Sequence, residues 1–269
     1  MCGSPPYNGA RHLMNRSRRE NSRNTRIIAG RNAVLMALSA GQDVREVRLD
    51  RGAQNAPRVA AIIAAATGAN VPVRVVERRD LDRVAGPNHQ GVVAVAGPAQ
   101  EANLKDILAH CAAEGRLPCI ILLRELLHEQ NLGAILRTCD AAGADAVVLP
   151  SHGAAPLGPE AARVSTGASE SVPVVRQSLT QAVATLRRED VTMIGAEPEA
   201  KVDYWDQGMT GPVAFVLGGE DRALSQPLRD ACDALVRIPM VGRVTSLNVS
   251  VACALLLYER LRQTRRERC

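Results

Sequence analysis

The chain has 269 residues, 46% of them hydrophobic, enough to bury one large core or two modest ones, and the length favours two domains. Its net charge of +5 is held entirely by residues 1–26, where Arg11, Arg16, Arg18, Arg19, Arg23 and Arg26 face only Glu20; the rest is neutral, and any nucleic-acid footprint there is a local patch. Aromatic residues, at 2%, are too few for a module that reads splayed bases by stacking, and no segment approaches the length of a membrane span.

Residues 1–25 are polar, rich in Arg and Asn and free of periodicity, which reads as a disordered basic tail. The composition fits an arm that touches phosphates, an organelle transit peptide, or an over-long start with Met14 as initiator. Over 26–97 the pattern alternates: helix 31–39, strand 44–49, helix 57–67, strand 71–76, short helix 80–84 and strand 91–96, a small α/β domain. His89, in the loop before the last strand, reads as solvated rather than as an RNA contact. Residues 98–117 hold a periodic helix through Leu104, Ile107, Leu108 and Cys111 and form the linker and entry to a second domain, 118–269.

The second domain opens with a strand over 119–123. A helix starting at Asn131 follows, with Leu132, Ile135, Leu136 and Cys139 as its core stripe. The adjoining stripe of Gly133, Ala134, Arg137 and Ala141 surrounds one long cation with nearly bare backbone, which a merely solvated arginine does not require. Then come strand 146–149, helix 160–166, the small-residue run Ser165 to Ala168, strand 172–175, helix 178–188 and strand 193–196.

The densest chemistry lies in 211–258. An apolar run over 213–217 ends in Gly218-Gly219 and then Glu220, the pattern of a buried strand entering a loop whose backbone closely approaches something. A second run, 235–240, precedes Gly242, and Ser246 reads as the N-cap of a final helix with Leu247, Val251, Ala254, Leu255, Tyr258 and Leu261 as its buried stripe. Asn248 then falls in the first turn, among free backbone N–H groups. Alone, Gly-Gly-Glu is more often a turn and Ser246 only a cap. Together the two transitions form a crevice lined by backbone donors, suited to a small molecule with polar ends.

Leu217-Gly-Gly-Glu-Asp-Arg-Ala-Leu-Ser225 and Ile238-Pro-Met-Val-Gly-Arg-Val-Thr-Ser-Leu-Asn-Val-Ser-Val-Ala252 resemble the second and third motifs of the SpoU/TrmH family of RNA ribose 2'-O-methyltransferases. Asn131-Leu-Gly-Ala-Ile-Leu-Arg-Thr138 resembles the first. Gly30-Arg-Asn-Ala-Val34 and His89-Gln-Gly-Val92 match where two-domain members carry their substrate-binding domain. The resemblance implies a SPOUT-type knotted α/β methyltransferase domain preceded by a small α/β ribosomal-protein-like domain; alternation alone would predict a doubly wound open sheet without a knot.

It also implies S-adenosyl-L-methionine held by Leu217, Gly218, Gly219, Ile238, Met240, Leu247 and Asn248, with catalytic roles for Arg137, Asn131, Glu220, Ser246 and Asn248. A guanidinium keeps its proton in proteins, so Arg137 is read as orienting the ribose and neighbouring phosphate and stabilising the developing alkoxide, with Glu220 as structural partner or proton acceptor. The family is dimeric, which points to a homodimer built on the last helix and the Asn131 helix, with Gly133, Ala134 and Ala141 allowing close approach. In one place the chain departs from the family: His128-Glu129 stand where members commonly have Asp-Pro.

Dinucleotide and nucleoside triphosphate fingerprints are missing. The seven cysteines are scattered without a C-x-x-C pair, which indicates neither a disulfide framework nor a metal site and suits a reducing cytoplasm. The function expected is 2'-O-methylation of a ribose in structured RNA, a 23S rRNA guanosine first, with tRNA as the alternative substrate. A non-catalytic RNA-binding or assembly protein is the other reading, and the five intact site residues argue against it.

Overall fold

The structure, a computed structural model, describes residues 25–54, 56–97, 102–219 and 222–267. The basic tail, save its last residue, and Glu220 lie outside the described residues. The chain divides into two compact units, Met1–Gln100 and Glu101–Cys269.

In the first unit, β1 (Arg26–Ala29), β2 (Val44–Asp50), β3 (Val73–Val76) and β4 (Val92–Ala96) form a sheet in the order β1-β4-β2-β3 among the described residues. β4 runs antiparallel to β1 and β2, while β3 is parallel to β2. The buried face of β2 and β4, with Val47, Leu49, Val92 and Ala94, meets Val34 and Leu38 of α1 (Arg31–Ser39) and Val59 and Ile62 of α2 (Pro57–Gly68). A short α3 (Arg78–Ala85) carries the chain to β4. β1 was not expected, since four residues are too few to show a period.

The expectation for His89 is corrected. Its side chain is fully buried, Nδ1 accepts from Gly91 N at 2.9 Å, and Nε2 therefore carries the proton that reaches Asp82 Oδ1 at 2.9 Å. Gly91 (φ 79) follows Gln90 (φ 53) there, and a side chain cannot be added at Gly91 because a Cβ would lie 2.5 Å from that of Ala53. This histidine holds a turn and is not presented to solvent.

The second unit, entered through α4 (Leu104–Ala113), has a seven-stranded sheet among the described residues. Its strands are β5 (Cys119–Leu123), β6 (Ala146–Leu149), β7 (Val174–Arg176), β8 (Thr192–Ala196), β9 (Val202–Asp203), β10 (Val213–Leu217) and β11 (Ala234–Arg237). Their order is β7-β6-β5-β10-β8-β11-β9, with every pairing parallel. All of β5, β6 and β10 is buried, so these strands read as continuous apolar runs rather than alternating ones. β11 ends earlier than expected because Pro239 has no N–H for a ladder, which frees Ile238 and Met240 from the sheet.

The helices are α5 (Glu129–Ala142), α6 (Pro159–Ser165), α7 (Leu179–Arg188), α8 (Gln226–Ala231) and α9 (Val249–Glu267). The core stripe expected for α5 is buried at Leu132, Ile135, Leu136 and Cys139, though the helix starts at Glu129 rather than Asn131. Burial pushes the Cys119 thiol on neighbouring β5 up to about 12, and this cysteine acts as a small apolar filler.

Two expectations for α9 are overturned. Ser246 does not cap it: Asn248 Oδ1 accepts from Ser250 N at 2.8 Å, and Asn248 O accepts from Ala252 N at 3.0 Å. The buried face is Val249, Cys253, Leu256 and Leu257, while Val251 is 45% and Tyr258 50% exposed. From 251 to 257 the helix is apolar at every position, so periodicity could not choose its phase.

Gly133 also has a different use from the one expected. A Cβ there would meet Ala161 O and Val164 Cβ at 2.7 Å, so its bare face is filled by α6 of the same chain. Gly133→Val is therefore expected to destabilise the protein by about 1–3 kcal/mol through overpacking. Urea unfolding measures this, and an unchanged midpoint would refute the close approach.

Candidate active site

The carboxyl ends of β8, β10 and β11 and the turn before α9 enclose a cavity of about 280 Å³. It lies outside the carboxyl ends of parallel strands, where α/β sheets bind ligands. Its apolar walls include Leu217, Ile238, Met240, Leu247, Val249 and Pro198, and its polar lining includes Glu197, Arg222, Thr245 and Ser246.

Gly218 and Gly219 complete the rim, and each is sterically required to lack a side chain. A Cβ on Gly218 would stand 2.7 Å from Arg222 O, and one on Gly219 would stand 2.8 Å from Glu125 Oε2. Gly219 N donates to Arg222 O at 2.7 Å, closing the loop on itself, while the Arg124 guanidinium donates to Ala223 O from behind. The loop is thus a narrow ribbon of backbone facing the cavity.

Glu197, to which the sequence pattern assigned no role, holds this loop. It is 4% exposed; Oε1 accepts from Leu224 N at 2.7 Å and Oε2 from the Arg229 guanidinium at 2.7 Å. One buried carboxylate thereby ties the end of β8 to the loop after β10 and to α8. The available signal was Glu-Pro directly after the apolar run 193–196, an acid at the mouth of a buried strand.

The expected site residues that are described fall into three groups. Leu217, Gly218, Gly219, Ile238, Met240, Ser246 and Leu247 all line the cavity. Asn131 and Asn248 do not line it but meet each other, Asn248 Nδ2 donating to Asn131 Oδ1 at 3.1 Å, a bond that joins the first turn of α5 to the cap of α9. Arg137 stands apart: it is exposed on α5, two turns beyond Asn131, and lines no part of this cavity. Glu220 follows Gly219 in sequence and lies outside the described residues.

His128-Glu129 gains a structural account. Glu129 Oε2 accepts from Glu160 N at 3.0 Å and Ala161 N at 3.2 Å, the free donors at the start of α6, and Gly158 leaves room for its carboxylate. α6 then ends at Ser165, whose Oγ donates to Ala162 O at 2.9 Å; Thr166 and Gly167 turn the chain back at φ 53 and 108. Glu129 thus couples the start of α5 to the small-residue run 165–168.

Residues 118–258 match the SpoU rRNA Methylase family, and residues 27–102 match the RNA 2'-O ribose methyltransferase substrate binding family. The 23S rRNA (guanosine-2'-O-)-methyltransferase RlmB of Pseudomonas syringae pv. tomato is 39% identical over 82% of this chain and 88% of its own. The putative TrmH family tRNA/rRNA methyltransferase YacO of Bacillus subtilis is 33% identical over 86% and 93%. Among solved structures, an RNA 2'-O ribose methyltransferase superposes with a TM-score of 0.70 at 29% identity, covering 95% of this chain and 96% of that one. The SpoU methyltransferase AviRb from Streptomyces viridochromogenes, in complex with the cofactor AdoMet, gives a TM-score of 0.70 at 25% identity, covering 95% and 98%.

Glu197→Ala would strand Arg229 and the Leu224 N–H. It is expected to cost about 3 kcal/mol, the low end for breaking a buried pair because the Arg229 side chain stays 32% exposed. Glu197→Gln keeps an acceptor for Leu224 N and should lose less. Equal urea midpoints for Glu197→Ala and the parent would show that Glu197 does not hold the loop.

Proposed function

We infer the activity from one premise: this chain belongs to the SpoU rRNA methylase family. It is an S-adenosylmethionine-dependent methyltransferase acting on a ribose 2'-hydroxyl of structured RNA, and the names of its relatives favour a 23S rRNA guanosine. A tRNA substrate is the second reading, supported by relatives named tRNA/rRNA methyltransferases. The observation that carries the methyltransferase reading, whichever the RNA, is the convergence of 217–219 and 238–247 on one cavity.

The cavity suits the methyl donor. Apolar walls at Leu217, Ile238, Met240 and Leu247 match a purine face, and the bare rim at Gly218 and Gly219 lets backbone N–H and C=O groups reach polar edges. When bound, the donor would supply a sulfonium methyl group to the ribose oxygen and become the neutral thioether, the hydroxyl proton passing to a base such as Glu220. Ser246 and Thr245 offer hydroxyls at the wall, and the Asn131–Asn248 bond fixes the wall's position against α5.

Arg137 acts on the RNA side. It orients the ribose and its phosphate and stabilises the alkoxide as the proton leaves, with Glu220 as proton acceptor or structural partner. Because Arg137 lies outside the cavity of its own chain, the reading extends to a homodimer in which it completes the partner's site. The exposed outer face of α9, with Val251 and Tyr258, supports an apolar interface there. Membership of the SpoU family supports trefoil threading of the second unit. Residues 26–97 are assigned to RNA and 118–269 to the donor and the chemistry.

Arg137→Ala is expected to lower turnover by about 10²- to 10³-fold with donor affinity unchanged, and Arg137→Lys to stay poor because a point charge cannot replace a planar fork. Asn248→Ala homodimers should also be inactive. Mixing the Arg137→Ala and Asn248→Ala proteins under subunit exchange should restore partial methyl transfer, since one composite site is then intact. Full activity of Arg137→Ala eliminates its role; no complementation after proven exchange places Arg137 and the donor in one subunit.

A further inference from the structure

The first unit carries many arginines, and most are neutralised. Arg45, Arg48, Arg51, Arg74, Arg78 and Arg83 each stand 2.7 to 3.9 Å from a carboxylate of the same unit. Arg31 and Arg58 differ. Neither is in an ion pair among the described residues, yet each is oriented through Nε by a neutral acceptor: Arg31 Nε donates to Gln90 O at 3.0 Å and Arg58 Nε to Asn32 Oδ1 at 3.0 Å. Arg79 also lacks a carboxylate, but no described hydrogen bond orients it.

The two acceptors bring these arginines together. Asn32 is the neighbour of Arg31 in the first turn of α1, and Gln90 Oε1 also accepts from Arg31 N at 3.3 Å. Arg58 lies in the first turn of α2, which packs on α1. Neither first turn holds an acidic residue. A cation at the positive end of a helix is placed against the helix dipole. Two guanidinium groups are therefore held in a costly position, with Nε occupied and, among the described residues of the unit, neither a hydrogen-bond acceptor on Nη nor a counter-charge.

We propose that Arg31 and Arg58 form a paired site for the phosphodiester backbone of the RNA substrate, positioned by Gln90 and Asn32. The chemistry is general: a guanidinium whose Nη face is free and whose direction is fixed presents two N–H donors to phosphate oxygens. It reads charge and backbone rather than base identity, and so anchors RNA without an array of stacking aromatic residues, of which this chain has few. The proposal rests on the reading of the chain as an RNA ribose methyltransferase.

The test is filter binding of the full-length protein to an unmodified 23S rRNA transcript over a series of KCl concentrations. Methyl transfer from labelled S-adenosylmethionine is measured in the same samples. Each of Arg31→Ala and Arg58→Ala is expected to make the slope of log affinity against log salt shallower by about 0.7–0.9, and the double variant by about twice that. Arg31→Lys/Arg58→Lys should keep the parent slope, since the charge remains. Arg74→Ala should keep it too, because Glu46 already neutralises that residue. Should the alanine pair fold poorly, Arg31→Gln/Arg58→Gln gives the same slope change. An unchanged slope in a folded double variant, or an equal change in Arg74→Ala, overturns the arginine pair. If the parent transfers methyl groups while the double variant keeps its slope, only this inference fails; if the parent neither binds nor methylates the transcript, the functional reading falls and the pair with it.

Discussion

The burial of β10 between β5 and β8 is the constraint on which the second unit depends. All five of its residues, Val213 to Leu217, are buried and paired with β5, and Val213 to Val216 are also paired with β8, both parallel, so the strand can leave the sheet only at its carboxyl end. Beyond Leu217 the chain must turn sharply in a crowded place. Gly218 and Gly219 do so because nothing larger clears Arg222 O and the Glu125 side chain. The cavity rim at Gly218 and Gly219 is therefore backbone, which a ligand with polar edges needs.

A wall of backbone must be stiffened from elsewhere, and the stiffening is ionic and local. Glu197 and Arg229 are joined at 2.7 Å with Glu197 almost fully buried, which makes the pair costly to break and fixes the loop after β10 relative to β8. The neutral Asn131–Asn248 bond plays the corresponding part on the opposite side, where α5 and α9 meet. Glu129 extends the frame by accepting from the first N–H groups of α6.

How much of this was legible depends on the range of each interaction. Fully buried parallel strands show as apolar runs, so β5, β6 and β10 were found with their observed bounds. The core stripe of α5 was found because polar residues flank it. α9 was misread for the opposite reason, since residues apolar all round leave its phase to packing, and Asn248 displaced Ser246 as cap once the helix began at Val249. Motif spacing singled out Leu217, Gly218, Gly219, Ile238, Met240 and Leu247, and these line one cavity. Glu197 and Glu129 were not, because their partners lie 27 to 32 residues away and no local pattern marks them. His89 is the same case in the first unit: a loop histidine looks solvated until Asp82 and Gly91 N are seen to enclose it.

The central claim is that the cavity at the carboxyl ends of β8, β10 and β11 serves methyl transfer to a ribose hydroxyl in ribosomal RNA. The most direct measurement is mass spectrometry of nucleosides from purified 23S rRNA and from tRNA, comparing the parent organism with a strain lacking the gene. The account predicts that one 2'-O-methylguanosine disappears from 23S rRNA in the deletion strain and returns when the intact gene is restored. An unchanged 23S rRNA, whether the missing methyl group is found in tRNA or nowhere, would contradict it.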